Sequence, residues 1–264
     1  MTNDHDIPGM EKQEHCSLLC QNGQMAKRRD ARERIEAQII ELGRRHLVEH
    51  GAAGLSLRAI ARDLGMVSSA VYRYVSSRDE LLTLLLVDGY SALADAVDRA
   101  RDAMSEVWSD DVVAIAHAAR DWAIAHPASW ALLYGSPVPG YHAPADRTVG
   151  PGTRVVGALF DAVAAGIATG DIKLTNQPAP QPISSDFERL RQEFGFPGDD
   201  SVIAKCFVIW AGVVGAISLE VFGQYGLDTL SDPQTVFDTQ MRLLVGVLNQ
   251  SDVGAQPFGV ATTN

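Results

Sequence analysis

Apolar residues recur with helical spacing over most of the chain, and the clearest short example follows a serine that can cap a helix. Ser56 stands before a run whose apolar residues keep the i, i+3, i+4, i+7 spacing of one buried helical face. These residues are Leu57, Ile60, Ala61 and Leu64. Gly65 can take a positive φ and ends this helix. A second short helix, with Val71 buried, is predicted over 68–74.

The rest of the second helix is polar, aromatic and basic. Its side chains are Ser68, Ser69, Tyr72, Arg73 and Tyr74. A helix, a glycine-containing turn and a second helix of this kind fit the major groove of DNA. An ordinary pair of helices in a helical domain is the alternative. The cap, the small Ala61 at the helix crossing, the glycine turn and the aromatic and basic second helix occur together, which favours DNA binding.

Helical periodicity continues on both sides of this motif. A helix over about 26–50 shares an apolar face through Ile35, Ile39 and Leu42 and ends at Gly51. Another begins at Ser77 and reaches about residue 104, long enough to link two domains. Further helices are predicted over 109–125, 127–135, 150–170, 184–194, 200–223 and 233–250. Because no strand pattern is visible, the sequence predicts an all-α protein with an N-terminal three-helix helix-turn-helix domain and a larger helical domain.

The predicted organisation is a disordered tail over 1–24, a helix-turn-helix DNA-binding domain over 25–76, a helical ligand-binding and dimerisation domain over 77–250, and a frayed tail over 251–264. Two breaks rich in Pro and Gly interrupt the larger domain. We expect the break at 135–146 to be a lid or wall loop and the break at 175–185 to be a mobile surface loop. Translation could begin at Met25, just before a basic run, as well as at Met1.

The charge distribution supports the DNA-binding hypothesis. The 264-residue chain has a net charge of −11 and is 46% apolar, so it has enough apolar residues for a sizeable core. Residues 25–82 nevertheless carry 11 Lys and Arg residues against 8 Asp and Glu residues, a local charge of +3. The electrostatic field near a bound DNA backbone depends on this local charge more than on the net charge of the whole chain. The acidic remainder of the chain therefore faces something other than DNA.

Several other classes of protein are disfavoured. The N-terminus lacks a signal-peptide pattern, and the longest apolar run, 206–219, is shorter than a membrane span, so no membrane partner is expected. Three cysteines suit a reducing cytoplasm. His15, Cys16 and Cys20 lack a nearby fourth metal ligand, and His126, His142 and Asp146 complete no catalytic constellation. No metal, other cofactor or enzymatic activity is expected.

The last two predicted helices are unusually apolar. Residues 201–223 are apolar almost all round, and 234–248 have few charges. Burial in the core of one chain is one reading, and pairing with a second copy into a four-helix interface is the other. The predicted interface residues are Gly212, Gly215, Ala216, Leu219, Phe237, Met241 and Leu244.

Aromatic and polar residues of the larger domain are of the kind that line small-molecule pockets. They are Trp122, His126, Trp130, Tyr134, Tyr141, His142, Phe160, Phe207 and Trp210. Each taken alone is better explained as a core residue. Together they favour a small, mainly apolar or amphipathic effector that is held by one or two polar groups.

The segment 34–82 resembles the DNA-binding domain of the tetracycline-repressor-like (TetR) family of bacterial regulators. The matching residues are Gly51, Ser56, Ile60-Ala61, Gly65, Val71-Tyr72, Tyr74-Val75 and Arg78-Asp79-Glu80-Leu81. Val67 stands where the family usually has a Ser or Thr cap, so we expect Ser68 to take over the cap. Tyr74 and Val75 replace His-Phe. Segments 126–141 and 210–220 resemble one subgroup, but Val214-Gly215 stands where relatives often have His-Gly.

The resemblance implies a homodimer that places two copies of the 68–74 helix in successive major grooves of a palindromic operator. Resemblance and side-chain chemistry assign base edges to Ser68, Ser69 and Arg73 and a thymine methyl to Ala70. Arg73 could equally bind phosphate. The expected phosphate contacts are Tyr72, Tyr74, Arg78, Ser56 and Arg58. Lys27, Arg28 and Arg29 would lie along the backbone or enter the minor groove, or form a solvated basic tail.

The resemblance also implies a repressor that responds to a small-molecule inducer. A regulator controlled by a protein partner, or one that acts constitutively, is the alternative, and a helical enzyme is a remote one. The sequence leaves open the operator, the effector, the regulated genes and the choice between repression and activation.

Overall fold

In the computed structural model, residues 10–102, 107–226 and 228–249 are described, and they form ten α-helices and no strand. The helices are α1 Met10–His50, α2 Leu57–Asp63, α3 Ser68–Val71, α4 Arg78–Asp102, α5 Trp108–Ala125, α6 Pro127–Tyr134, α7 Ala145–Ala168, α8 Ile183–Phe194, α9 Asp200–Val221 and α10 Pro233–Asn249. The prediction of an all-α protein is confirmed. The chain divides into two compact units, one up to Leu85 and the other from Leu86.

Two helices begin earlier than the sequence predicted. Helix α1 begins at Met10 and not near residue 26, so residues 10–24 are helical where a disordered tail was expected. This stretch is rich in Met, Glu, Lys, Gln and Leu and contains no proline, which favours a continuing helix. Helix α7 begins at Ala145 and continues through Pro151, although an internal proline removes a backbone donor and usually kinks or ends a helix. Residues 1–9 and 250–264 lie outside the described residues.

The first unit has a core drawn from α1, α2, α3 and the start of α4. Its fully buried side chains are Ile39, Ile60, Val71, Val75, Leu81 and Leu82. Burying a side chain of this size contributes about 1.5–3 kcal/mol. One polar contact joins α1 to the end of α2: the imidazole Nε2 of buried His46 lies 2.7 Å from Asp63 Oδ2. These contacts fix α2 and α3 against α1.

Helix α9 is the central helix of the second unit and contacts α5, α6, α7, α8 and α10. Ile203, Ile209 and Ile217 are fully buried along it. By length and composition alone α9 could cross a membrane, with a mean hydropathy of 2.1. Its carboxylates are paired inside the bundle, however: Glu220 accepts hydrogen bonds of 2.5 and 2.7 Å from Arg120, which is itself buried. A core position thus accounts for part of the composition, but only 33% of this apolar window is buried within the chain.

Two adjacent aspartates at the start of α9 hold the loop that was expected to be mobile. Asp199 Oδ2 accepts hydrogen bonds from the backbone N–H groups of Thr175 and Asn176, at 2.6 and 2.8 Å, while its Oδ1 caps α9. Asp200 Oδ2 accepts one from the N–H of Ala179, and its Oδ1 lies 2.6 Å from Arg191 Nη1. The loop over 175–185 is thus tied to α9, because carboxylates satisfy its backbone donors.

Acid should release this loop. Burial by itself raises the pKa of Asp199 and of Asp200, but the hydrogen bonds outweigh it and hold both pKa values below the usual range. The stabilisation is therefore complete above the unfolded value of about 3.9 and is lost as pH falls through the lower folded value.

We expect Asp200→Asn to lower the free energy of unfolding by about 1–3 kcal/mol at pH 7, and the difference from the unsubstituted chain to shrink towards pH 3. Urea unfolding at several pH values measures it. Asp186→Asn, at an exposed position on α8, is the control and should have little effect at either pH. A difference that stayed constant down to pH 3 would contradict the assignment.

Candidate nucleic-acid interface

The turn between α2 and α3 is built by local hydrogen bonds. Ser56 Oγ accepts a bond of 3.4 Å from the N–H of Ala59, so Ser56 caps α2 as predicted. At the other end Gly65 has a φ of +66°, and the N–H of Met66 reaches back 2.9 Å to the carbonyl of Ala61. A left-handed glycine at this point is what allows the chain to reverse sharply. The prediction of a helix, a turn and a second helix is borne out.

Helix α3 is shorter than predicted and has a different cap. It covers Ser68–Val71, and the chain continues to residue 74 as hydrogen-bonded turns. Val67 occupies the N-cap position in an extended conformation, and no side chain caps the helix. Ser68 is already helical, so the expectation that it takes over the cap is wrong. A helix this short depends on neighbours, and burial of Val71 and Val75 holds it in place.

Opposite these two valines, α3 and its following turn present an exposed polar surface. Ser69, Tyr72 and Arg73 are exposed, whereas Ser68 and Ala70 are half-buried. Arg58 is exposed on the first turn of α2. Within the described residues Arg73 and Arg58 make no ion pair, so their charges are available to phosphates or base edges.

Three of the predicted DNA-contacting residues have structural partners. Arg78 Nη2 donates to the carbonyl oxygens of Ala52 and Ala53, at 2.8 and 3.4 Å, so Arg78 primarily braces the α1–α2 connection. The half-buried Tyr74 ring lies 5.9 Å from the Arg32 guanidinium carbon. The Ser56 hydroxyl already accepts the capping bond. The side chains of Lys27 and Arg28 lie outside the described residues.

The basic helix α1 is largely self-neutralised where its side chains are described. Arg29 pairs with Glu33 at 2.8 Å, and Arg32 pairs with Glu36 at 2.7 Å. Exposed pairs of this spacing contribute only about 0.3–0.5 kcal/mol, so DNA could readily compete for the arginines. The described interface therefore centres on α3 and its following turn.

A cleft of about 480 Å³ lies within the second unit, between α4, α6, α7 and the 135–146 loop. Its lining includes Leu86, Tyr90, Leu133, Val138, Tyr141 and Thr148. Within the described part of the chain, every residue that lines this cleft is uncharged at neutral pH. Burial, and then the neighbouring phenol of Tyr141, raise the pKa of Tyr90, so the Tyr90 hydroxyl is a neutral donor.

The predicted pocket aromatics do not converge on this cleft. Of the aromatic residues predicted for an effector pocket, only Tyr141 lines it, and Tyr90 was missed because one tyrosine on a long apolar helix gives no pocket signal. The Tyr134 ring packs against Trp130, against Trp210 and, at 6.3 Å between ring centroids, against Tyr90 of the cleft. Each of the others has a separate environment: Phe160 stacks on Phe196, His126 stacks on Trp122, Phe207 is 53% exposed, and His142 is exposed.

The predicted interface residues divide into buried and exposed sets. Phe237, Met241 and Ala216 are buried within the single chain, where they belong to the core that α9 shares with neighbouring helices. Gly212 likewise serves the packing of α9 on α10, since a Cβ there would meet a Leu244 methyl at 2.6 Å. Gly215 has no neighbour of this kind, and Leu219 is 37% exposed.

A set of apolar residues nevertheless remains partly exposed on α9 and α10. We call it the α9–α10 stripe; its members are Phe207, Val208, Ala211, Gly215, Leu219 and Leu243. Leu243 is 69% exposed and both Phe207 and Val208 are 53% exposed. The sequence analysis predicted an interface on these two helices but did not include Phe207 or Leu243 in it.

Known proteins resemble both units. The chain matches the bacterial regulatory proteins of the tetR family over residues 39–85, and the tetracyclin repressor-like C-terminal domain over residues 112–244. Two HTH-type transcriptional regulators, Rv1816 of Mycobacterium tuberculosis and Mb1846 of Mycobacterium bovis, are each 76% identical over 231 residues, which cover 87% of this chain and 99% of theirs.

Solved structures agree with these matches. The regulatory protein SCO4313 is 30% identical, with a TM-score of 0.67 over 83% of this chain and 98% of its own. The TetR family regulator PfmR from Thermus thermophilus shares the fold, with a TM-score of 0.51 at 14% identity over 79% of this chain and 97% of its own. The chain belongs to the TetR family of bacterial transcriptional regulators, and its helix-turn-helix is the DNA-binding motif of that family.

Proposed function

We propose that the protein acts as a homodimer on a palindromic operator and represses transcription until a small uncharged effector binds. The observation that carries the DNA-reading part is the surface formed by Ser69, Tyr72 and Arg73, which is exposed and backed by buried Val71 and Val75. Rigid backing matters because base contacts require side chains to be held in a fixed register.

Within this proposal the side chains have different tasks. Arg73 and Ser69 reach base edges, joined by Ser68, while Ala70 meets a thymine methyl. Tyr72, Tyr74 and Arg58 bind phosphates, which fix the position of the helix without reading sequence. Ser56 and Arg78 act on the phosphates indirectly, by fixing the start of α2 and the α1–α2 connection. Lys27 and Arg28 add charge near the DNA backbone.

The α9–α10 stripe supports dimerisation. Regulators of this family commonly dimerise and commonly bind small-molecule ligands. Exposed apolar side chains on two helices that contact each other can pair with the same side chains of a second copy about a two-fold axis, which would form a four-helix interface. The small Ala211 and Gly215 would let the two copies of α9 approach closely. A two-fold dimer in turn requires two equivalent half-sites, which is why a palindrome is proposed.

The cleft supports an effector that carries no charge. A charged ligand would lose its hydration without meeting an opposite charge, because the lining residues are uncharged. The hydroxyls of Tyr90 and Tyr141 can bind a hydroxyl or carbonyl group, while Leu86, Leu133 and Val138 cover an apolar body. Tyr90 and Leu86 lie on α4, the helix that begins with Arg78 in the first unit, so ligand contact with α4 offers a route for regulation.

Removing the Arg73 side chain should weaken operator binding. We expect Arg73→Ala to cost about 1–3 kcal/mol per half-site and to relax preference at one base pair if it reads guanine, or to weaken all sequences uniformly if it binds phosphate. Fluorescence anisotropy on duplexes selected from a random pool measures both. Arg189→Ala, an exposed arginine on α8, is the control. Unchanged affinity and preference would remove Arg73 from the interface.

A charge in the α9–α10 stripe should separate the subunits. Leu243→Asp is expected to convert a dimer into a 28.4 kDa monomer in light scattering, since an interface cannot bury an unpaired carboxylate cheaply. Operator affinity should fall more than about tenfold as the half-sites uncouple. Ile124→Asp, exposed on α5, should leave the mass unchanged. A dimer that survives Leu243→Asp would refute this interface.

Matched pairs of small molecules test the effector. For each carbon skeleton, an alcohol and the corresponding carboxylate are compared by thermal shift and by release of the operator. We expect only the alcohols to act, and Tyr90→Phe or Tyr141→Phe to weaken them by about 2- to 12-fold through loss of one hydrogen bond. Tyr225→Phe is the control. If ligands bind without changing operator affinity, control by a protein partner or constitutive action replaces the effector hypothesis.

A further inference from the structure

Val67 contradicts its local environment in two ways. It occupies the N-cap position of α3, where Ser, Thr, Asp or Asn is preferred because an oxygen can accept a backbone N–H, and no side chain caps this helix. It is also 72% exposed, although valine is among the residues that are most often buried. Exposure alone is ordinary, since Val48 in the same unit is 71% exposed, but among the described residues of this unit only Val67 places an exposed apolar side chain at the N-cap of an α-helix that no side chain caps.

The neighbouring helices show what a cap would look like here. Ser56 Oγ accepts from the N–H of Ala59 at 3.4 Å at the start of α2, and Ser77 Oγ accepts from the N–H of Glu80 at 3.0 Å at the start of α4. The helix between them, α3, is the shortest of the three and would gain most from a cap. The apolar N-cap residue of α3 is therefore locally unfavourable, and such departures from local preference are typical of functional sites.

The position of Val67 suggests its partner. In a helix-turn-helix the N-terminal residues of the second helix contact base edges in the major groove, and Val67 directly precedes that helix, two residues before exposed Ser69. A valine side chain offers only methyl groups. In the major groove the only apolar group on a base edge is the C5 methyl of thymine.

We infer that Val67 contacts a thymine methyl group and makes the protein prefer thymine at one position of its DNA site. The inference rests on the proposed DNA binding but concerns a residue outside the reading set proposed above. The contact requires the Val67 side chain to be exposed in the free protein, and in the structure it is. Valine at this position thus lacks the oxygen that would cap α3 and supplies the methyl groups for a base contact.

Replacing thymine by uracil in the DNA tests this inference because it deletes only the methyl group. Duplexes are first selected from a random pool with the full chain, and each thymine of a selected duplex is then replaced singly by deoxyuridine. For the unsubstituted protein we expect one replacement per half-site to lower affinity about fourfold, the value of one buried methyl group. Val67→Ala should weaken binding to the thymine duplex and lose most of this discrimination.

Two further variants separate reading from folding. Val48 is equally exposed in the same unit, at 71%, so Val48→Ala is a matched control that should keep the full uracil effect. Val67→Ser restores a capping hydroxyl, so it should melt no lower than the unsubstituted protein and yet lose the discrimination. If Val67 had only a structural role, Val67→Ser would instead lower the melting temperature and keep the discrimination between thymine and uracil.

The outcomes distinguish this inference from the DNA-binding proposal. Duplex binding that is indifferent to every uracil replacement, or a Val67→Ala variant that discriminates as well as the unsubstituted protein, overturns the inference and leaves DNA binding intact. Failure to enrich any duplex from the pool overturns both.

Discussion

Helix α9 carries more apolar surface than its own chain covers, and much of the second unit follows from that constraint. Neighbouring helices bury one part of it through Ile203, Ile209 and Ile217, and Arg120 neutralises Glu220 inside the bundle. What remains is the α9–α10 stripe, whose side chains are only partly covered within the described chain. One apolar helix thus accounts both for the core and for the surface that we propose as the dimer interface, since burial of apolar surface is favourable in either place.

A different constraint governs the first unit, where the helix that presents the reading surface is too short to be stable alone. Its orientation comes from burial of Val71 and Val75, from the His46 contact to Asp63 and from Arg78 bracing the connection before α2. These residues differ in chemistry, but each of them acts in the structure by fixing the positions of α2 and α3. A substitution at Arg78 would therefore act by displacing α2 and α3 as much as by removing a charge.

Most of the helices could be predicted from the sequence because periodicity, caps and glycine stops are local signals, as Ser56, Gly65 and Ser77 show. The partners and the burial of single side chains could not be predicted, because they depend on contacts between distant segments. Arg78 is chemically suited to bind phosphate, but it donates a hydrogen bond to the carbonyl oxygen of Ala52. Phe207 has the composition of a pocket aromatic and lies on the surface. The family resemblance identified the motif but could not distinguish these roles, since chemically equivalent residues serve them all.

The two proposed sites also differ in what solution conditions can do to them. If the reading surface acts through Arg73, Arg58 and the basic residues of α1 as proposed, its affinity for DNA falls steeply with salt as counterions are released. The cleft around Tyr90 and Tyr141 has no charged lining within the described chain, so salt has little to screen there. Because effector action is read out as a change in DNA affinity, a rise in ionic strength that weakens DNA binding imitates an inducer. The coupling between the two sites is therefore defined only at a fixed salt concentration.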